Sequence, residues 1–489
     1  MSLLLHAVPF TAQIAEEPDT GASFDVVVIV LLCFFFINWL SKVIPTKQDR
    51  SWLPRLILLG FGAKMIGTLA RFWMVTVLYG TGDSYRYHLF GEINSNVWQS
   101  FSVPVGTAGG PGTAFTEVVT SFLYALYTPS FLGGFVLFAF LSYLGQLFFF
   151  SAFRPWFGQE KVKKYAYAVF FLPSLVFWPA GIGKDALMVL SLGMAAYGVS
   201  RLLREYQISA LFLIAPALFL AASIRAHVAG IFGIATVLAM LLGKAPKKMQ
   251  GHPKRALMIL SALGGAAILL ATFSATFEVT VEGAGTTQDP GEFLADVNEQ
   301  TGTGGSQIDG GVASPSQLPL AIVTVLFRPL LHEGTSLQVI FSALEGTALL
   351  LFTIWKLPTM WRNKRLLREK PYLMMTFFYT GGFIVAFSAI LNLGILARQR
   401  VQVLPFFLAL LVGLAWNEPK KGESESDGEP AGRYVPRRLP APMKQQPGLT
   451  GAVDAEIPAQ KAPPASRSTS PQARKSSATA PAIGRHQRQ

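Results

Sequence analysis

Long apolar runs, repeated from Phe24 to Trp416, constrain this chain more than any other feature of its sequence. A helix needs roughly 20 apolar residues to cross the hydrocarbon core of a bilayer, and several runs here reach that length. In a bilayer the backbone must satisfy its own hydrogen bonds, so such runs predict α-helices. Composition agrees: 51% of the 489 residues are hydrophobic and only 14% charged, less charge than a soluble fold of this size carries. The expected fold class is an all-α polytopic membrane protein.

Eleven spans are expected, at Phe24–Leu40, Trp52–Tyr79, Phe131–Ala152, Tyr165–Pro179, Asp185–Leu203, Ser209–Ser223, His227–Leu242, Ala256–Phe277, Leu337–Trp355, Pro371–Leu391 and Val401–Trp416. Basic residues orient them, because short cytoplasmic loops are enriched in Lys and Arg. The segments "SKVIPTKQDR", "FRPWFGQEKVKK", "KAPKKMQGHPKR" and "KLPTMWRNKRLLREK" carry three, four, five and six basic residues. All four fall on the cytoplasmic side if the N-terminus is outside and the C-terminus inside. Residues 1–23 then form an external segment, expected to be retained, since it lacks the basic start of a signal peptide.

The transmembrane domain is expected at residues 24–416, with external loops at 80–113 and 278–316. Glu278 to Ser316 holds seven acidic residues and no Lys or Arg, as befits an outer loop. The apolar stretches Ala114–Thr128 and Leu318–Leu331 would invert the charge pattern if they crossed, so they are expected as re-entrant or interfacial segments. Residues 417–489, rich in Pro, Ser and Ala with twelve basic and seven acidic residues, are expected to be a disordered basic cytoplasmic tail. The net charge of +13 is thereby a topology signal, and no soluble basic domain points to nucleic acid. Cys33 is the only cysteine, which excludes an intrachain disulfide and a thiolate metal site.

The unusual polar residues collect on the external side. "GDSYRYH" begins the first outer loop, and Asp83 there is either the cap of a short interfacial helix, whose Leu89, Phe90, Ile93 and Val97 share a face, or a catalytic base. "WPAGIGKDA" presents Lys184 and Asp185 at a helix start, Asp185 reading first as a cap. "SIRAH" presents Arg225 and His227, "FRPLLHEG" presents Arg328, His332 and Glu333, and "LARQR" presents Arg398 and Arg400. External arginines run against the rule that oriented the chain, and binding an anion is the simplest reason for them. Arg71 joins them from the second span, where charge is costly and usually faces a cavity; Lys64, seven residues earlier, suits a structural ion pair equally well.

"GIGKDA" lacks the glycine spacing of a phosphate-binding P-loop, and no HExxH or GxSxG occurs. No metal site and no cofactor are expected. Several arginines beside carboxylates at membrane depth suit a lipid-linked phosphate or pyrophosphate, because guanidinium forks pair with phosphate oxygens and stabilise a leaving pyrophosphate.

"GDSYRYHLF", "PSLVFWPAGIGKDAL", "IRAH", "FRPLLHEG" and "ARQRVQVLPFF" together resemble GT-C-type bacterial membrane glycosyltransferases and the exopolysaccharide or O-antigen repeat-unit polymerases grouped with them. The resemblance covers roughly residues 24 to 416. It implies transfer of a sugar or oligosaccharide from a polyprenyl (pyro)phosphate donor to a glycan acceptor, outside the bacterial plasma membrane, beside membrane lipids and polysaccharide assembly proteins. It also implies that Asp83 acts as base, with Glu333 or His332 second. Arg225, Arg328, Arg398 and Arg400 would hold the pyrophosphate, with Arg71, Lys184 and His227 lining the site. The first loop lacks the paired acids of the GT-C pattern, which favours metal-free chemistry. A transporter or flippase for a lipid-linked or anionic substrate, or a noncatalytic assembly partner, is the alternative; transport needs polar groups running through to the cytoplasmic half.

Overall fold

The structure is a computed structural model and describes residues 24–106, 111–127, 129–205, 207–245, 317–333, 337–388, 390 and 392–417, with isolated positions 253, 256, 259, 260 and 263–265. The expected outer segment 1–23, the loop 278–316, the tail from 418 and nearly all of the span Ala256–Phe277 lie outside the described residues.

The described chain is helical: α1 Phe24–Val43, α2 Leu53–Trp73, α3 Asp83–Asn94, α4 Pro111–Tyr124, α5 Phe131–Phe153, α6 Gln159–Phe171, α7 Pro173–Phe177, α8 Lys184–Glu205, α9 Leu211–Leu242, α10 Leu318–Phe327, α11 Leu337–Arg362, α12 Arg365–Glu369, α13 Pro371–Phe387, α14 Leu393–Gln399 and α15 Leu404–Ala415. A π-helical stretch, Met74–Tyr79, prolongs α2. By length and composition six helices qualify to cross a membrane: α1, extended α2, α5, α8, α9 and α11, with α9 qualifying only when its two parts on either side of Arg225 are taken together. A seventh crossing forms if α14, its short extension and α15 count as one span bent by 63°. The protein is thus a multi-pass membrane protein, with fewer long spans than the eleven expected.

The shortfall has local causes. Tyr165–Pro179 is not one helix: Pro173 lacks an N–H and separates α6 from α7. α13 and α15, of 17 and 12 residues, fall short of a full crossing on their own. Ser209–Ser223 and His227–Leu242 merge into the 32-residue α9, interrupted by non-helical dihedrals at Arg225 (φ −147°, ψ 85°).

That interruption reverses the chain. The first limb of α9 runs antiparallel to α8, with Ile214 at Gly198 near one end and Arg225 on Asp185 at the other. The second limb runs antiparallel to α13, with His227 against Phe387, Ile231 against Gly382 and Gly243 against Pro371. Trp156 donates to Ser200, late in α8, and accepts from Lys370, just before α13, so α8 and α13 are themselves antiparallel. The two limbs therefore point in opposite directions, with Arg225 at their shared tip. They are about 21 and 25 Å long at 1.5 Å per residue, shorter than the roughly 30 Å hydrocarbon core.

α5 and α8 form the densest pairing at the centre. Gly145 and Gly193 face each other there, and a side chain on either would collide with the opposing backbone. Small residues that let backbones approach are how helices bind where water supplies no hydrophobic drive. Exposed apolar side chains on α1, α2 and α11, such as Leu32, Ile66 and Leu351, form the lipid-facing surface. α4 and α10, of 14 and 10 residues, are each too short to cross the hydrocarbon core on their own.

Candidate functional site

Asp185 organises the most highly charged point of the described structure. It is the second residue of α8, and its side chain is only 4% exposed. Oδ1 accepts from both terminal nitrogens of Arg225, at 3.2 and 3.3 Å, and Oδ2 accepts from Nε of Arg398. The carboxylate is therefore consumed by two arginines rather than by the helix cap that its position suggested. A carboxylate buried this deeply persists only when paired and hydrogen-bonded, which both oxygens achieve here.

The other expected residues gather around this pair. Arg398 reaches on to Asp83 at 3.3 Å, and the Asp83 side chain is 56% exposed, the open lip of the cluster. Asp83 opens α3 without capping it, since Gly82 holds the N-cap position and no side chain caps that end. Lys184 donates to the Thr113 hydroxyl at 2.7 Å, and the Tyr87 hydroxyl shares a hydrogen bond with Thr113. Arg71 lies over the rings of Phe177 and Trp178, 5.4 and 4.9 Å from their centroids, within electrostatic range of Asp185, Asp83 and Arg398. His227, two residues beyond Arg225, packs on Phe387 and feels the Arg225 charge.

Local structure explains how these groups converge. Gly183 precedes α8 at φ 156°, a conformation that disfavours any side chain, and the turn it permits lies against Arg398 and Tyr87. Gly112 lets α4 start hard against the carbonyl of Ile224, which brings Thr113 beside the Arg225 break. Ser84 fastens α3 to this turn by donating to the carbonyl of Ile182 at 2.8 Å. The buried face of α3 is Ser84, Tyr87, His88, Phe90 and Gly91, so of the apolar face expected from Leu89, Phe90, Ile93 and Val97 only Phe90 is buried, Leu89 and Val97 are half-buried and Ile93 is exposed. Burial, followed by the charge of Asp83, pushes the Tyr87 phenol up to about 12, so it stays protonated at neutral pH. Burial pulls His88 down to about 4; its Nδ1 and the Tyr124 hydroxyl are 2.8 Å apart.

Four cations, Arg71, Lys184, Arg225 and Arg398, meet two carboxylates, Asp83 and Asp185, leaving a formal excess of two positive charges. The described residues include no cluster of His, Cys, Asp and Glu suited to a metal. Such a site suits an anion with several oxygens, and the exposed Asp83 leaves a basic oxygen beside it.

The remaining candidates lie elsewhere. Arg400 is fully buried and donates to the carbonyls of Leu326 and Arg328 at 3.2 and 3.1 Å, with Glu345 3.8 Å away. Arg328 grips Glu333, whose other oxygen accepts from the Leu330 N–H at 2.7 Å. Burial opposes ionisation of Glu333, but the Arg328 and backbone hydrogen bonds win and hold its carboxyl below the usual range. His332 is exposed on the same turn. Among the described residues no ion pair or hydrogen bond joins Arg328, His332 or Glu333 to the Asp185 cluster. The four loop arginines thus separate into Arg225 with Arg398, and Arg328 with Arg400.

Sequence reasoning missed Thr113 and the clamping role of Asp185. It also missed Glu345, Gln146 and Lys64 as a group. Val169 O faces Pro173, which has no N–H to give, and Gln146 donates to it at 2.9 Å. Leu175 O accepts from Lys64 at 2.8 Å, and the Ser174 N–H donates to Glu345 at 2.6 Å. These side chains satisfy the backbone freed at the α6–α7 break, so Lys64 holds a carbonyl rather than an ion partner. The one visible signal was a lone acid, Glu345, inside an apolar run.

Comparison of the chain with protein-family models, with curated proteins and with solved structures gives no match.

Proposed function

We propose that this protein is a glycosyltransferase, acting on the extracytoplasmic side of a bacterial inner membrane and transferring or polymerising sugars from a polyprenyl (pyro)phosphate-linked donor in cell-envelope polysaccharide synthesis. The observation that carries this reading is the cation excess around buried Asp185, open to an exposed carboxylate at Asp83. Asp185 fixes Arg225 and Arg398 with both its oxygens, so their remaining N–H groups are pre-aimed before a ligand arrives. Preorganised donors of this kind stabilise charge that develops on a leaving group.

In the reaction, Asp83 accepts the proton of an acceptor sugar hydroxyl as its oxygen attacks the anomeric carbon of the donor. The bond from that carbon to the phosphate oxygen breaks, and the electron pair leaves on the (pyro)phosphate. Arg225, Arg398, Arg71 and Lys184 take up that charge. Glu333, already committed to Arg328, and fully buried Arg400 serve as supports in this scheme, Arg400 holding the end of α10.

A second reading, transport or flipping of the same lipid-linked anion, draws on buried Lys64, Glu345 and Arg400. Their bonds to backbone groups of α7 and α10 weigh against it.

The test is a transfer assay in proteoliposomes with a labelled polyprenyl pyrophosphate sugar. Asp83→Asn is expected to lower turnover by about 100-fold or more while donor stays bound. Arg225→Ala and Arg398→Ala are expected to lose both. Full transfer in both arginine variants overturns the assignment, and movement of label across the bilayer without transfer favours the second reading.

A further inference from the structure

A second charged place lies at the opposite end of the second α9 limb, and the site around Asp185 does not use it. Leu242 is seventeen residues beyond Arg225, about 25 Å along a helix. There a cavity of about 560 Å³ is lined by Leu241, Leu242, Lys244, Arg365, Arg368 and Glu369. Its cations come from the two most basic loops of the sequence: Lys244 belongs to "KAPKKMQGHPKR", and Arg365 and Arg368 to "KLPTMWRNKRLLREK". The Lys244 N–H donates to the carbonyl of Arg368 at 2.8 Å, joining the end of α9 to α12.

Three cations here face one acid, and among the described residues none of the three side chains has an ion pair or hydrogen bond. Their charge is therefore not spent on folding, unlike that of Arg400 or Lys64. The cavity walls are of two kinds. Leu241 and Leu242, 48% and 50% exposed at the end of α9, offer an apolar wall, and Lys244, Arg365 and Arg368 supply the charged one. A free small anion would match the charges and leave the leucines unused. A phospholipid matches both, with its phosphate on the cations and its acyl chain along the leucines. Basic pockets between helices on the side rich in Lys and Arg recognise anionic headgroups in this way.

We propose that Lys244, Arg365 and Arg368 form a binding site for an anionic phospholipid of the leaflet opposite the Asp185 cluster. The site is independent of the glycosyl-transfer reading.

The test is native mass spectrometry of the full chain, released from nanodiscs containing phosphatidylglycerol or phosphatidylcholine, comparing wild type with the K244A/R365A/R368A variant. Wild type is expected to retain phosphatidylglycerol over phosphatidylcholine, and the variant to retain at least about tenfold less. Glu369→Gln, which removes the one acid among the described lining residues, is expected to tighten retention about threefold and keeps the test valid if the triple variant fails to fold. Equal retention in wild type, the triple variant and Glu369→Gln overturns the proposal. So does displacement of the lipid by millimolar inorganic phosphate alone, which would mark a small-anion site.

Discussion

Arg398 and Arg400 are two residues apart, yet they end in opposite kinds of environment. Arg398 binds side-chain carboxylates, Asp185 and Asp83, and remains 26% exposed, with Arg71 and Lys184 adding charge nearby. Arg400 has no exposed surface and spends its hydrogen bonds on the carbonyls of Leu326 and Arg328. The first region carries surplus charge and an open edge; the second, with Glu345, Lys64 and Gln146, uses buried polar side chains to complete the backbone of broken helices. Both kinds of buried charge are expensive in a membrane, but only the surplus is left to act on a ligand.

Substitutions that separate the two regions test that contrast, and the largest effect falls in the second. Arg400→Ala strands Glu345 and two carbonyls, and is expected to cost about 3–5 kcal/mol, read as a fall in thermal unfolding temperature and in monodisperse yield. If Arg400→Ala is as stable as wild type, its role as a backbone support is wrong.

Next comes His88, on the buried face of α3 beside Tyr124 and Phe131. Burial lowers its folded-state value to about 4, so the unfolded chain binds the extra proton first as pH falls. Stability is therefore complete above pH 6.5 and declines toward pH 4, by up to about 3 kcal/mol. A His88→Gln variant is expected to flatten that decline in unfolding scans from pH 7 to pH 4. An unchanged slope would place the acid sensitivity elsewhere.

Asp185→Asn frees Arg225 and Arg398 from their common anchor while leaving the cations in place. Retention of a lipid-linked donor is expected to fall about tenfold to thirtyfold, about 2 kcal/mol, with stability changed less than in Arg400→Ala. The binding isotherm of a polyprenyl phosphate in detergent reads this directly, and tighter binding would show that Asp185 opposes the ligand rather than serving it. The smallest effect is expected from Lys64→Met, which removes one donor from Leu175 O, about 1 kcal/mol of stability, with donor retention untouched. A loss of transfer in Lys64→Met would instead favour transport.

Much of this contrast is legible in the sequence, but not its sorting. Apolar runs and loop charge identify a multi-pass helical protein, and the arginines expected outside stand out because they break the positive-inside pattern. What a linear reading lacks is direction. "LARQR" does not say that its two arginines face different partners, because the turn into a short 3₁₀ segment sends them apart. "SIRAH" shows an arginine between two apolar stretches, but not that Arg225 is itself the bend between limbs too short to cross alone. Pro173 was a visible breaker within the expected span Tyr165–Pro179, and its significance depended on Gln146, Lys64 and Glu345, which come from distant helices.

The most direct measurement is mass spectrometry of lipids that copurify with the detergent-extracted protein, for wild type, Arg398→Ala and Arg328→Ala. The expected result is a polyprenyl (pyro)phosphate sugar held by wild type and Arg328→Ala and lost from Arg398→Ala. The same lipid held equally by all three would contradict an anion site built on Asp185.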